Sequence, residues 1–153
     1  MVTLLVTGFP RVGSGRIEII KENFKTEVCI QMQDYPFEVE RAAGTHWKDG
    51  KLSICGGIDG YWNTKRDCYT LDNGEWKPTS QNLQVERQSP GASNIGNNIW
   101  FTGGWNGVQR SSSTEIMHPD GKITPGPDLP QARSDHCQIS HGQTTFIIGK
   151  CIF

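Results

Sequence analysis

Apolar residues along this chain come in short runs that end on glycine. Ile99-Trp100-Phe101-Thr102 leads into Gly103-Gly104, and Leu52-Ser53-Ile54-Cys55 leads into Gly56-Gly57. A weaker copy, Leu4-Leu5-Val6-Thr7-Gly8, lies near the start, and Phe146-Ile147-Ile148-Gly149 lies near the end. Elsewhere the period is two: Val28, Ile30 and Met32 alternate with Cys29, Gln31 and Gln33, the spacing of a strand with two different faces. No long segment carries a 3.6-residue period. Asp49-Gly50, Asn73-Gly74 and Asp120-Gly121 each separate two extended runs, and such dipeptides accept the positive φ angles of a tight hairpin. The pattern predicts an all-β chain. Its strands are Thr3–Thr7, Arg16–Ile20 and Thr26–Met32; Ala42–Trp47, Leu52–Cys55, Asp67–Leu71 and Glu75–Pro78; Gly91–Ile95, Asn98–Thr102, Ser113–Met117 and Lys122–Thr124; and His136–Ser140 with Thr145–Ile148.

These strands fall into a repeat. Gly8, Gly56, Gly103 and Gly149 stand 48, 47 and 46 residues apart, a period typical of stacked supersecondary units. Tyr69 and Ile116 both follow the second glycine of a pair by 12 residues, and Trp76 and Ile123 both follow it by 19. Arg41, Arg87 and Arg133 recur every 46 residues. The single domain, residues 1–153, thus divides into units of about 1–47, 48–95 and 96–142, with the start of a fourth at 143–153.

Composition narrows the function. The formal charge is −1 with both signs dispersed, so no basic field points to nucleic acid or an anionic membrane. No apolar run approaches the ~20 residues of a membrane span. The hydrophobic share is 35% with 18 glycines, which suits many short strands joined by tight turns. Cys29, Cys55, Cys68, Cys137 and Cys151 show neither zinc-ligand nor CxxC spacing, and their odd number argues against a closed disulfide framework. They are expected to be reduced thiols packed as small apolar residues, consistent with a cytoplasmic address. His46, His118, His136 and His141 form no i,i+4 pair and no HxH. No metal site, cofactor, nucleophile–base pair or phosphate loop is predicted, and the chain reads as a non-enzyme.

The glycine doublet, the aromatic a dozen residues on, the later tryptophan and the arginine together resemble the kelch repeat. The fullest match is Gly56, Gly57, Tyr69, Trp76 and Arg87. The next unit matches by Gly103, Gly104, Ile116 and Arg133, with Ile123 in the tryptophan column. The first unit keeps Gly8 and Arg41, with Cys29 in that column, and Gly149 opens the last. The resemblance implies an incomplete kelch β-propeller: two full four-stranded blades, three strands of a preceding blade and two of a following one. In such a blade Tyr69 and Trp76 fill the space between stacked sheets, and the arginines hydrogen-bond neighbouring loops. Two complete blades cannot close a ring of about 4–8, so a fragment of a longer kelch protein is expected, self-associating through open blade edges.

By the same resemblance, one face carries the loops after each glycine pair and the residues just after the repeated arginine. That nominates Tyr61, Trp62, Asn63, Gln88, Ser89, Trp105, Asn106, Arg110, Ser134 and Asp135 for contact with a protein or peptide ligand. Similarity to kelch-like proteins with BTB and BACK domains implies the substrate-recognition part of a cullin-RING ubiquitin ligase adaptor. Actin-binding or scaffolding kelch proteins are the alternative, and a galactose-oxidase-like propeller enzyme a more distant one.

Overall fold

The computed structural model describes residues 2–6, 17–21 and 35–149. Twelve strands occur among them, and no helix. β1 (Val2–Val6) and β2 (Ile17–Lys21) form an antiparallel pair. β3 (Ala43–His46), β4 (Leu52–Cys55), β5 (Cys68–Asp72) and β6 (Glu75–Pro78) form one four-stranded antiparallel sheet in sequence order. β7 (Gly91–Ile95), β8 (Asn98–Thr102), β9 (Thr114–Met117) and β10 (Ile123–Pro125) form a second of the same topology. β11 (Cys137–His141) and β12 (Thr144–Ile148) close the series as a hairpin. The strand expected over Thr26–Met32, and Gly8 and Cys29, lie outside the described residues. The first strands of the successive units lie together, β7 against both β3 and β11.

Alternation along each strand sends side chains to opposite faces, and this builds the core in layers. Ile54, Leu71 and Trp76 leave one face of the first sheet and bury against Tyr35, with Phe37, Val39 and Tyr69 around them. Cys55 and Cys68 leave its other face and meet Leu83, Ile99, Phe101, Met117 and Ile123, the near face of the second sheet. The glycine pairs are needed where strands end against neighbouring backbone. Gly56 and Gly57 have φ of 73° and 97°, Gly103 and Gly104 of 60° and 95°. A Cβ on Gly56 would collide with the Arg87 carbonyl, and one on Gly103 with that of Arg133. Only glycine combines that backbone with that approach.

Three expectations change. The first concerns cysteine: Cys55 and Cys68 form a disulfide. They stand directly opposite on β4 and β5, while the flanking Gly56 N–H bonds Asp67 O and the Cys68 N–H turns to Asn82 Oδ1. Theirs is therefore a non-hydrogen-bonded pair, in which opposed Cα atoms come closest; here they are 4.2 Å apart. A separation of 13 residues gave no sign of this, because the pairing depends on strand register.

The second concerns Ile116. Tyr69 lies opposite Ile54, but it is Glu115 that lies opposite Phe101, and Ile116 lies opposite Trp100. The connection after the second glycine pair is one residue shorter, and a one-residue slip moves a side chain to the other face. Glu115, not Ile116, occupies the Tyr69 column.

The third concerns Arg41. Arg87 and Arg133 stand four residues before Gly91 and Cys137, whereas Arg41 stands two before Ala43. Val39 takes the arginine position: it meets Gly57 as Arg87 meets Gly104. Arg41 belongs instead with Ser89 and Asp135, each two residues before a strand and each at positive φ, 56°, 49° and 55°.

Arg87 joins the two sheets. Fully buried, it donates from Nη1 to Gly103 O (2.6 Å) and Ser113 O (2.9 Å), and from Nη2 to Ser113 Oγ (2.8 Å) and Glu115 Oε1 (2.9 Å). Glu115 also accepts the Gln84 and Val85 amides. Arg133, in the equivalent place, keeps a buried Nε that has no partner among the described residues.

Candidate binding face

The loop ends of the strands form two neighbouring features. The first is a polar cluster where the three units meet. The Ser89 amide donates to Arg41 O (2.7 Å) and the Asp135 amide to Ser89 O (3.1 Å), so the positive-φ residues are linked in series from unit to unit. Non-glycine residues in that region carry a cost of about 1–3 kcal/mol each and persist where surrounding contacts enforce them, often at functional sites. The Ser134 hydroxyl, 2.7 Å from Asp135 Oδ2, holds that carboxyl below its ordinary range, with Ser89 and the charges of Arg41 and Arg110 acting in the same direction. Trp105 exchanges both backbone bonds with Gln88 (2.8 and 2.9 Å) and bridges to Arg110 across its own loop. The buried Gln88 Oε1 has no partner among the described residues. Gln88, Ser89, Trp105, Arg110, Ser134 and Asp135 therefore converge, and Arg41 joins them.

The second feature is the loop from Ile58 to Thr64, closed by a bridge between those two residues. Asp59 organises it. Its Oδ1 accepts the amides of Tyr61 and Asn63, both at 2.9 Å, while Lys65 Nζ lies 3.2 Å from Oδ2. These donors, Asn63 first, hold the Asp59 carboxyl down at about 2. Trp62 sits at φ 67°. Tyr61 and Trp62 project from this braced turn, 88% and 73% exposed.

The 105–110 loop repeats the device. Asn106 Oδ1 accepts the Val108 and Gln109 amides (3.0 and 2.8 Å). Asn63 and Asn106, nominated for partner contact, thus spend their side chains inside their own loops. Val108, at the loop position equivalent to Tyr61 and 81% exposed, was not anticipated; its only signal in the sequence is its distance from the glycine pair. Phe37 and Glu38 beside the first loop were not anticipated either. No group of three or more His, Cys, Asp or Glu able to hold a metal occurs among the described residues, and none of their helices could cross a membrane, since there are none.

No known protein-family profile matches the chain. Spermatocyte protein spe-26 of Caenorhabditis elegans is 28% identical over 110 residues, which cover 66% of this chain and 19% of that protein. The chain thus spans about a fifth of the length of this curated relative. Among solved structures, YjhT superposes with a TM-score of 0.65 at 17% identity, over 76% of this chain and 40% of the other. At that identity the likeness is one of fold.

Proposed function

We propose that the chain is a non-enzymatic protein-binding module whose two sheets are blades of an incomplete kelch-type propeller. The observation that carries this reading is the pair of internally braced loops, which present Tyr61, Trp62 and Val108 to solvent, with the half-buried Trp105 at the base of the second. Exposed aromatics on a preformed loop backbone are among the groups that dominate binding energy at protein interfaces. Arg41, Arg110 and Asp135 beside them add charged groups for polar contacts, the Asp135 carboxylate oriented by the Ser134 hydroxyl. Within this class we favour the recognition part of a cullin-RING ligase adaptor, following the repeat pattern, over an actin-binding scaffold. The Cys55–Cys68 bond removes the cysteine argument for a cytoplasmic address, because disulfides persist mainly in oxidising compartments.

Selection of displayed peptides on the immobilised chain tests the reading. Ligands are expected whose affinity falls at least about tenfold in Trp62→Ala or Arg110→Ala. Ligands that are indifferent to both, or that map to the Asp49, Asn73 and Asp120 turns at the opposite end, would refute it. Ile139, Phe146 and Ile148 are exposed on the outer face of the β11–β12 hairpin, which supports self-association of this chain. Sedimentation should therefore show a mass that rises with concentration and falls in Phe146→Asp.

A further inference from the structure

β12 has the composition of an interior strand but lies at a sheet edge. In the two four-stranded sheets the outermost strands carry groups that blunt a free edge: Glu75, Lys77 and Pro78 on β6, and Pro125 on β10. The second strands, β4 and β8, have a neighbour on each side and carry no charge. β12 likewise carries neither charge nor proline, and among the described residues it pairs with β11 alone. An edge of that kind offers open N–H and C=O groups to a further strand.

Arg133 indicates what such a strand would bring. In the second sheet Arg87 crosses to the third strand, where its Nη2 meets Glu115 Oε1 at 2.9 Å. In the first sheet the same two places hold Val39 and Tyr69, packed at one apolar core. The crossing residue and the third strand therefore match, apolar with apolar and cation with carboxylate. Arg133 continues the series. Its backbone N–H bonds Ser111 O as that of Arg87 bonds Lys65 O, and its carbonyl accepts the Gly104 N–H as that of Arg87 accepts the Gly57 N–H. The hairpin beside it has no third strand among the described residues, and the buried Arg133 Nε has no partner among them. A buried donor left unpaired is costly.

We propose that the β12 edge accepts an extended segment of a partner polypeptide, running antiparallel, with a glutamate that bonds Arg133 and an apolar residue directly after it. The register follows that of β9 on β8, where Thr114, Glu115, Ile116 and Met117 lie opposite Thr102, Phe101, Trp100 and Ile99. The β7–β8 and β11–β12 hairpins share one pairing, Gly91 with Thr102 and Cys137 with Ile148. The corresponding places on β12 are therefore Ile148, Ile147, Phe146 and Thr145. The glutamate lies opposite Ile147, on the face where Thr145 and Ser140 continue to Ser93 of the second sheet. The residue after it lies beside Phe146 on the other face, where Ile139, Phe146 and Ile148 are exposed, and an apolar side chain there covers them. This edge is separate from the loop face, and the two sites stand or fall independently.

The probe is a capped peptide copying residues 111–119, which include β9, titrated into the full isotope-labelled chain beside a second peptide with Glu115→Gln. The first should shift the amides of residues 133 and 144–148 and bind at least about tenfold tighter than the second. In the chain, Arg133→Met removes no hydrogen bond found among the described residues, and it should erase that discrimination. Backbone chemistry gives a further check. The Gly103 N–H bonds Ser113 O, so Thr102–Thr114 is a non-hydrogen-bonded pair and the N–H of Glu115, not that of Ile116, faces β8. N-methylation of the peptide at the glutamate should therefore abolish binding, and N-methylation at the following isoleucine should not. If Arg133→Met fails to fold, the methylated pair and the glutamine peptide keep the test on the unaltered chain. Equal binding of the glutamate and glutamine peptides, discrimination that survives in folded Arg133→Met, or equal effects of the two methylations would overturn the proposal. Oligomers that persist and bind no peptide would assign the edge to a second copy and overturn it as well. None of these outcomes touches the loop-face reading, which Trp62→Ala and Arg110→Ala test.

Discussion

The two interfaces flanking the β7–β10 sheet solve the same packing problem with different chemistry. On one side, Ile99, Phe101, Met117 and Ile123 meet the Cys55–Cys68 bond and Leu83, and the one buried ion pair among them, Arg87–Glu115, is fully supplied with partners. On the other side the contact is a polar chain. Gln138 Nε2 donates to Trp100 O (3.2 Å) and Ser93 Oγ (2.8 Å), Ser93 continues to Ser140 (2.6 Å), and Ser140 to Thr145 (2.7 Å). Thr102 donates its hydroxyl hydrogen to Gln138 Oε1, so the 3.0 Å contact with His136 Nε2 requires that nitrogen to be the donor. That tautomer leaves Nδ1 bare, buried and without a partner among the described residues. The difference teaches that the architecture demands surfaces that match, not surfaces that are apolar. The unit before makes the same point: Val39 and Tyr69 stand where Arg87 and Glu115 stand.

The comparison can be broken most sharply at Arg87. Arg87→Ala should destabilise by about 3–5 kcal/mol, since it strands a buried carboxylate, as read by denaturant unfolding. Arg87→Met with Glu115→Leu should recover part of that loss, the residue being the unpaired Gln84 and Val85 amides at ~1–3 kcal/mol each. A double variant no better than the single would show that the slot needs charge. Replacing Cys55 and Cys68 together by alanine should cost about 3 kcal/mol, the loop-closure value for a short disulfide loop, and reductant should lower the wild-type melting temperature but not the variant's.

On the polar side, Thr102→Val should cost ~1–3 kcal/mol by leaving Gln138 Oε1 and His136 Nε2 unpaired; a neutral result would mean that the polar chain contributes nothing. The smallest effect is that of pH. Burial and the charge of Arg133 hold the His136 pKa below its ordinary 6.5, because a second proton would sit on the bare Nδ1. The unfolded chain then binds the proton more readily, so stability is complete above the unfolded value and is lost as pH falls from about 6.5 through the folded pKa. His136→Gln should flatten that slope in unfolding measured across the range, and an unchanged slope would assign it elsewhere.

Much of the scaffold was legible. Every strand from Leu52 to Ile148 fell within a residue or two of its expected place, because turn dipeptides and glycine pairs impose backbone geometry locally. Side-chain columns were less secure. Counting from Gly57 and Gly104 assumed equal loops, and the one-residue difference exchanged Ile116 for Glu115. The 46-residue spacing of the arginines concealed units that differ in length, and so misassigned Arg41. Of the candidate binding face, the sequence placed Tyr61, Trp62, Trp105 and Arg110 on loops. It could not separate the exposed Tyr61 from Asn63 and Asn106, whose amides serve their own turns.

What the sequence determined by itself is the chain of β-hairpins and their repeat, since φ preferences, turn residues and two-residue alternation act between neighbours. Tertiary structure alone decided which side chains meet: Cys55 with Cys68, Arg87 with Glu115, Asp135 with Ser89 and Arg41. Those pairings depend on strand register and sheet stacking, where a shift of one residue reverses the face a side chain presents.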